Sequence, residues 1–429
     1  MRVTVSTSVS PPLTHRTVLS NGLTILVAEN PVADIVSASI FVRAGTGYEL
    51  RSQAGLFNLL AALLTKGAAG LSSMEIAERV ESVGASLGTD ASADYSLLSL
   101  KTVSGDFAEM LSLAGQILRF PTLPQAEFEL EQRLALQGIQ SMQEQPFTVA
   151  YNQLRQILYG DHPYALPAIG TQASLAALDR AVLLRAHQTY FRPDNMVVSI
   201  AGRITVEQAA DLAGSVFGNW PTPTAPIPPL LFPVQPTQPV RSVLVQETHQ
   251  SIVMVGYQAA AVKHPAYAAL KLLNTYLGNG LSSRLFVELR EKRGLAYDVS
   301  AFYPTRIGGS QFVAYIGTAP ANTAIALEGL QFEVERLRSV SLLPEKLQTA
   351  KNKLLGQYAL GKQTNAQIAQ LLGWYETIGL GLEFDQQFCQ AIAAVTVEQA
   401  QAVAEEFFVL PYVTVLGPAE AVEPLKQPE

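Results

Sequence analysis

The stretch Trp220–Val240, WPTPTAPIPPLLFPVQPTQPV, holds eight of the chain's 25 prolines, from Pro221 to Pro239. Proline fixes φ and removes a main-chain donor, so such a run resists helix and sheet and extends as a semi-rigid spacer. It cuts a chain of 429 residues nearly in half. That length exceeds one ordinary hydrophobic core, so at least two domains are expected. The reading is residues 1–220 as one domain, 221–240 as linker and 241–429 as a second domain.

The two halves match. Leu71-Ser72-Ser73 lies thirteen residues before Gly84, and Leu281-Ser282-Ser283 lies thirteen before Gly294. Leu123-Pro124 opens a helical run from Gln125, and Leu343-Pro344 opens another with Leu347, Ala350, Leu354 and Tyr358 at helical spacing. The offset stays at about 210 to 220 residues, which reads as a duplicated domain. A third coincidence, Thr205-Val206-Glu207-Gln208 and Thr396-Val397-Glu398-Gln399, is out of register and reads only as two helix-capping boxes. Thr24–Val27, Ile35–Val42 and Leu97–Val103 read as strands, Leu56–Leu64 as a buried helix, and 106–118 and 125–143 as helices. Strands grouped between long helices predict an α+β fold: two homologous domains, each a mainly antiparallel sheet with helices packed on one face.

Composition narrows the function. The chain is 48% apolar and 15% charged, which excludes disordered and collagen-like classes. The net charge of −7 offers no basic footprint for nucleic acid or an anionic membrane, and a basic or amphipathic peptide suits it better. One cysteine, Cys389, excludes an intrachain disulfide and a cysteine-based zinc cluster. The five histidines, His15, His162, His187, His249 and His264, form no short metal motif. No window of about 18 residues is continuously apolar, and Met1–Leu19 lacks an apolar signal core, so a cytoplasmic protein is expected. Gly278-Asn279-Gly280 lacks the lysine of a phosphate loop and reads as a turn before a helix capped by Ser282 or Ser283. His162 and His264, each followed by proline, read as loop residues, and Gly308-Gly309 as a turn between strands.

Gly55-Leu56-Phe57-Asn58-Leu59-Leu60-Ala61-Ala62-Leu63-Leu64-Thr65-Lys66-Gly67 resembles the first helix of the pitrilysin, or insulinase-like, metallopeptidases, which include the mitochondrial processing peptidases. The resemblance runs on through Asp161-His162-Pro163-Tyr164, Phe191-Arg192-Pro193-Asp194-Asn195-Met196 and Leu281-Ser282-Ser283-Arg284-Leu285-Phe286. It continues through Arg290-Glu291-Lys292-Arg293-Gly294-Leu295-Ala296-Tyr297 and Gly317-Thr318-Ala319-Pro320. It covers the chain from about Thr17 to Gly417.

Active members of that family carry H-x-x-E-H on this helix: two histidines one turn apart bind zinc and the glutamate activates the bound water. The matching positions are Asn58, Ala61 and Ala62. The third ligand, in a Glu-Glu pair on a later helix, matches Gln137 and Gly138, with Gly138 in the ligand slot. No imidazole or carboxylate remains, so this chain is expected to bind no zinc and to cleave no peptide alone. An edge strand that pairs with substrate begins Asn-Ala in active members, and Gly88-Thr89 stands there.

The second half differs. The resemblance implies an arginine and a tyrosine seven residues apart that hold substrate, and Arg290 and Tyr297 have this spacing. Read without it, Glu288, Arg290, Glu291, Lys292 and Arg293 are a solvated helix face, and Tyr297 a strand aromatic alternating with Leu295, Val299 and Ala301. The resemblance therefore implies a non-catalytic, substrate-holding subunit beside a zinc-bearing peptidase subunit, acting on unfolded peptides in a closed chamber. Without that partner a homodimer is expected. The rival expectations are a structural subunit and a stand-alone peptide-binding protein.

Overall fold

The structure is a computed structural model that describes residues 14–426. Most of the N-terminal stretch read for a signal core, residues 1–13, lies outside the described residues. The first half contributes β1 (Thr14–Val18), β2 (Thr24–Glu29), β3 (Ile35–Val42), β4 (Ser86–Ala91), β5 (Ser96–Val103) and β6 (Met196–Gly202). The second contributes β7 (Arg241–Val245), β8 (Ser251–Ala259), β9 (Asp298–Phe302), β10 (Ser310–Thr318) and β11 (Tyr412–Gly417). The helices used below are α1 (Leu56–Leu64), α2 (Phe107–Arg119), α3 (Gln125–Gln143), α4 (Pro146–Tyr159) and α5 (Gln172–Ala177). They continue with α6 (Tyr267–Gly278), α7 (Pro344–Leu360) and α8 (Asn365–Thr377).

The sheets run β4-β5-β3-β6-β2-β1 and β9-β10-β8-β11-β7. Strand for strand the second repeats the first without β1. In each, one pair is parallel, β2 with β6 and β7 with β11, and the other pairs are antiparallel. The α+β class read from the sequence is the fold found. Between the helix ending at Phe217 and β7 at Arg241, the proline-rich segment forms no regular element.

Strand residues alternate between two cores, as a period of two requires. Ile25 and Val27 join the first domain's own helical core, whereas Leu26 and Ala28 face away. That other face is covered by the second domain: Ala369 of α8 meets Ala28 and Ala201, and Leu372 and Trp374 meet Leu26, Phe41 and Val197. The exchange is reciprocal. Ala150, Leu154 and Leu158 of α4 cover Ile252, Met254, Tyr412 and Leu416 of the second sheet. Each domain thus keeps its helices on one face and lends one helix to the opposite face of its twin. Polar ties reinforce the crossing: Asn30 Nδ2 donates to Asn365 Oδ1 at 2.7 Å, and Asn365 Nδ2 to the Ile35 carbonyl at 2.8 Å.

The Asp161-His162-Pro163-Tyr164 loop lies in the same seam. His162 Nδ1 accepts from Tyr164 N at 3.1 Å, and its ring stacks on Phe232 of the linker at 4.6 Å. Burial pushes this imidazole down to about 4. Tyr164 donates its hydroxyl to Asp94, which also accepts from Ile307 N of the second domain. The capping boxes at Thr205 and Thr396 are both formed. The expected cap at Ser282 or Ser283 is not. A widened π-type turn, Phe286–Glu291, follows instead, with Lys292 N donating to the Val287 carbonyl at 3.0 Å, and Ser283 Oγ is buried without a hydrogen-bond partner among the described residues.

Candidate functional site

Helix α1 is short and apolar, and its N-terminus is capped from a distance. Glu49 accepts from Gly55 N at 2.8 Å and Phe57 N at 2.7 Å, taking up donors that a helix start leaves open. Gly55 sits at φ +93°, and a Cβ there would lie 2.5 Å from the Ile169 carbonyl oxygen, so only glycine fits. Glu49 is 6% exposed, and burial pushes its carboxyl up to about 8 against the two donors. The sequence reading singled out neither Glu49 nor Ile169. An isolated carboxylate just ahead of a glycine-led apolar helix was the available signal.

Two contacts fix how α1 and α3 pass. Lys66, just beyond α1, pairs with Glu131 of α3 at 2.9 Å. At the other end, Ile169 lies against both Gly55 and Gly138. The two helices are therefore antiparallel, and Gly138, two turns from Glu131, lies toward the start of α1, the end that carries Asn58, whereas Ala61 and Ala62 lie about a turn further along. Asn58 and Ala62 are half-buried, Ala61 is buried and Gln137 is exposed. A Cβ on Gly138 would lie 3.0 Å from Ile169 Cδ1, so Ile169 fills the space a longer side chain would need.

Strand β4 closes this neighbourhood. Thr89 Oγ1 donates to the Ala61 carbonyl at 2.7 Å, and Gly88 accepts weakly from Ser99 Oγ at 3.4 Å. β4 is the last strand of its sheet, so one row of its main-chain groups has no strand partner among the described residues. The donor set here is one carboxamide, two methyl groups and a glycine. It does not fit zinc, which takes imidazole, thiolate or carboxylate. Among the described residues, no group of three or more His, Cys, Asp or Glu side chains could hold a metal ion.

Arg290 and Tyr297 lie on the other domain, either side of a turn that leads into the edge strand β9. Glu288 pairs with Arg284 at 3.0 Å and Lys292 at 2.9 Å, which leaves Arg290 without an ion pair among the described residues. Its guanidinium sits over Phe286, 5.0 Å from the ring centroid, and is exposed. Tyr297 N donates to the Gly317 carbonyl at 2.8 Å, while its side chain is 62% exposed. No hydrogen bond, ion pair or ring contact among the described residues joins either side chain to α1 or β4. Among the described residues the structure thus joins Thr89 to Ala61 and sets Ile169 against Gly138, whereas it joins Arg290 and Tyr297 to none of these and leaves both exposed. No helix among the described residues is long and apolar enough to cross a membrane, and Cys389 is a free thiol.

The chain is similar to known proteins along nearly its whole length. It is 24% identical over 403 residues to the uncharacterized zinc protease YmxG of Bacillus subtilis, covering 92% of this chain and 96% of that one. It is 26% identical over 409 residues to the uncharacterized zinc protease ML0855 of Mycobacterium leprae, covering 94% and 91%. A crystal structure of a protease from Helicobacter pylori superposes with a TM-score of 0.88 at 21% identity, over 95% of this chain and 100% of that one. A peptidase M16 inactive domain from Pseudomonas fluorescens superposes with a TM-score of 0.87 at 24% identity, over 94% and 98%. The family model described as insulinase (peptidase family M16) matches residues 24–172, and the one described as peptidase M16 inactive domain matches residues 177–354. With both halves matched by models of one family and the fold shared with its solved structures, the chain belongs to peptidase family M16, the insulinase family.

Proposed function

We propose that this chain is the non-catalytic, substrate-holding subunit of a two-chain zinc peptidase, and that a zinc-bearing subunit of the same family completes it. One observation carries the reading: Asn58, Ala61, Ala62 and Gly138 stand at the positions that match the family's zinc site, whereas Arg290 and Tyr297 are present, exposed and without an ion pair among the described residues. Loss of one set with retention of the other is the pattern that a division of labour between two chains produces.

In this reading the chain's own residues bind and orient peptide. The guanidinium of Arg290 offers a fork of donors and the hydroxyl of Tyr297 one more, suited to substrate carbonyls or a developing oxyanion. The free edge of β4 at Gly88 and Thr89 offers main-chain pairing to an extended peptide, although glycine loosens it. The partner supplies the metal and the hydrolytic water. The relatives named as zinc proteases are compatible with a peptidase partner.

The test is peptide hydrolysis by this chain alone, by a family member with an intact H-x-x-E-H helix alone, and by the mixture. Activity that appears only in the mixture supports the proposal. Full activity of the zinc-bearing chain alone, unchanged by adding this one, overturns it.

A further inference from the structure

The proline-rich linker is fastened at three places. Near its start Arg192 donates to the Pro223 and Ala225 carbonyls, both at 2.6 Å, while Asp194 holds the same guanidinium. Further on, the Phe232 ring stacks on His162, and the Pro236 carbonyl accepts from Tyr412 and Gln258. Between the first two fastenings, Pro228, Pro229, Leu230 and Leu231 form one side of a cavity of about 530 Å³. Leu56 and Phe57 at the start of α1 line it from below, and the helix Arg180–Tyr190 lines it from the side. The volume falls within the range of about 300–1,000 Å³ usual for small-ligand sites. Two adjacent prolines keep this arch extended, because the fixed φ of each leaves little freedom to collapse into the cavity.

The lining is largely apolar and aromatic. Tyr190 makes edge-on contacts with Tyr48 at 5.6 Å and with Phe57 at 5.5 Å, so three rings meet in one wall. Four charged residues also line the cavity, and three of them are committed. Arg51 pairs with Asp161 at 3.6 Å and donates to Gln156 at 3.1 Å. Glu49 accepts main-chain bonds on both oxygens, and burial pushes its carboxyl up to about 8, so it adds little negative charge at neutral pH. Arg185 is the fourth. It is exposed, and its guanidinium makes no hydrogen bond or ion pair among the described residues.

We infer that this cavity binds a small aromatic carboxylate, its flat ring between Tyr190 and the Pro228–Pro229 arch and its carboxylate on Arg185. Aromatic rings pack well edge-on or offset against other rings, and proline rings are regular partners of aromatic surfaces. The planar fork of an arginine matches a carboxylate with two parallel hydrogen bonds. A cationic ligand would meet Arg185 as a like charge, and a neutral one would lack the charge-assisted pair. The cavity shares no residue with Asn58, Ala61, Ala62, Gly138, Arg290 or Tyr297, so the inference does not rest on the peptidase reading. A ligand seated there ties the linker to the start of α1. Leu231, 75% exposed, and the adjoining Phe232 then become harder for chymotrypsin to reach.

The experiment uses the full chain, with naphthoate and its neutral counterpart naphthamide as probes, titrated by calorimetry. Two variants are made at exposed positions: Arg185→Gln, and the double change Pro228→Gly with Pro229→Gly, which loosens the arch and leaves its fastenings in place. Naphthoate should bind the unaltered chain about tenfold more tightly than naphthamide, the scale of one charge-assisted hydrogen bond. Arg185→Gln should bring naphthoate down to the level of naphthamide, and the double variant should weaken both. Saturating naphthoate should slow chymotryptic cleavage after Leu231 and Phe232. Should either variant fail to fold, the two probes and the cleavage assay on the unaltered chain decide. No binding of naphthoate overturns the site. Equal binding of the two probes, or unchanged naphthoate affinity in folded Arg185→Gln, overturns the carboxylate class. Binding that leaves cleavage of the linker unchanged, or that a folded double variant does not weaken, puts the ligand elsewhere and overturns the inference.

Discussion

A Cβ placed on Gly373 would lie 2.5 Å from Cε2 of Phe41, so α8 of the second domain rests on the first domain's sheet through a residue with no side chain. The reciprocal crossing has the same form, since a Cβ on Gly256 would lie 3.1 Å from both Leu154 methyl groups of α4. Two glycines therefore set how closely the halves approach.

Gly373→Val should overpack this contact and cost about 1–3 kcal/mol. Because each half carries the other's covering helix, unfolding should remain a single transition in the unaltered chain. Denaturation followed by tryptophan emission, from Trp220 in one half and Trp374 on α8, should coincide with the loss of far-ultraviolet ellipticity. Two separated transitions would show that the crossed helices do not couple the halves.

Glu49 should give stability a pH dependence. Burial pushes its folded value up to about 8, above the unfolded value of about 4.3. Between these values the folded state holds the proton more tightly, so the contribution is fully present below about pH 4 and is lost as pH rises through about 8. Relative to Glu49→Gln, which cannot titrate, the unaltered chain should lose melting temperature between about pH 5 and 8. A difference that is flat or grows with pH would mean that the Gly55 and Phe57 donors keep the carboxylate charged.

The purified chain should carry no stoichiometric zinc at the Asn58 position, checked by elemental analysis. About one zinc per chain, lost on changing Asn58, would contradict the donor-set argument. Ile169 adds a second outcome: with Asn58→His, Ala61→Glu, Ala62→His and Gly138→Glu installed, zinc affinity should rise further when Ile169 is shortened to Ala, because its Cδ1 fills the space beside Gly138.

Arg290→Ala and Tyr297→Phe should each slow the mixed enzyme roughly a hundred- to a thousand-fold, about 3–4 kcal/mol, if they act where charge develops. The loss should fall on kcat for a transition-state contact and on KM for simple holding. Subunit association should be unchanged, since both side chains project into solvent. Full activity of both variants in the mixture would favour a structural role for this chain.

The sequence by itself determined what depends on near neighbours. Helix α1 spans Leu56–Leu64 and β3 spans Ile35–Val42 as their apolar patterns require, and Thr205 and Thr396 cap their helices as their spacing to Gln208 and Gln399 requires. The expectation that Asn58, Ala61, Ala62 and Gly138 stand at the family's zinc-site positions likewise comes from the sequence, since it rests on residue type and spacing alone. The tertiary structure decided what each surface meets. The Ala150, Leu154, Leu158 stripe announces a buried face but cannot say that the other domain's sheet covers it. Ser39 and Ser199 read as polar, yet they are buried in the first sheet, Ser199 where Gly373 of α8 crosses. Ser283 looked like a cap, but the turn that follows widens and satisfies itself through main-chain bonds. Ile169 reached Gly55 and Gly138 only through folding. Periodicity and capping are written within a few residues of chain, whereas burial against a distant partner is a property of the packed molecule.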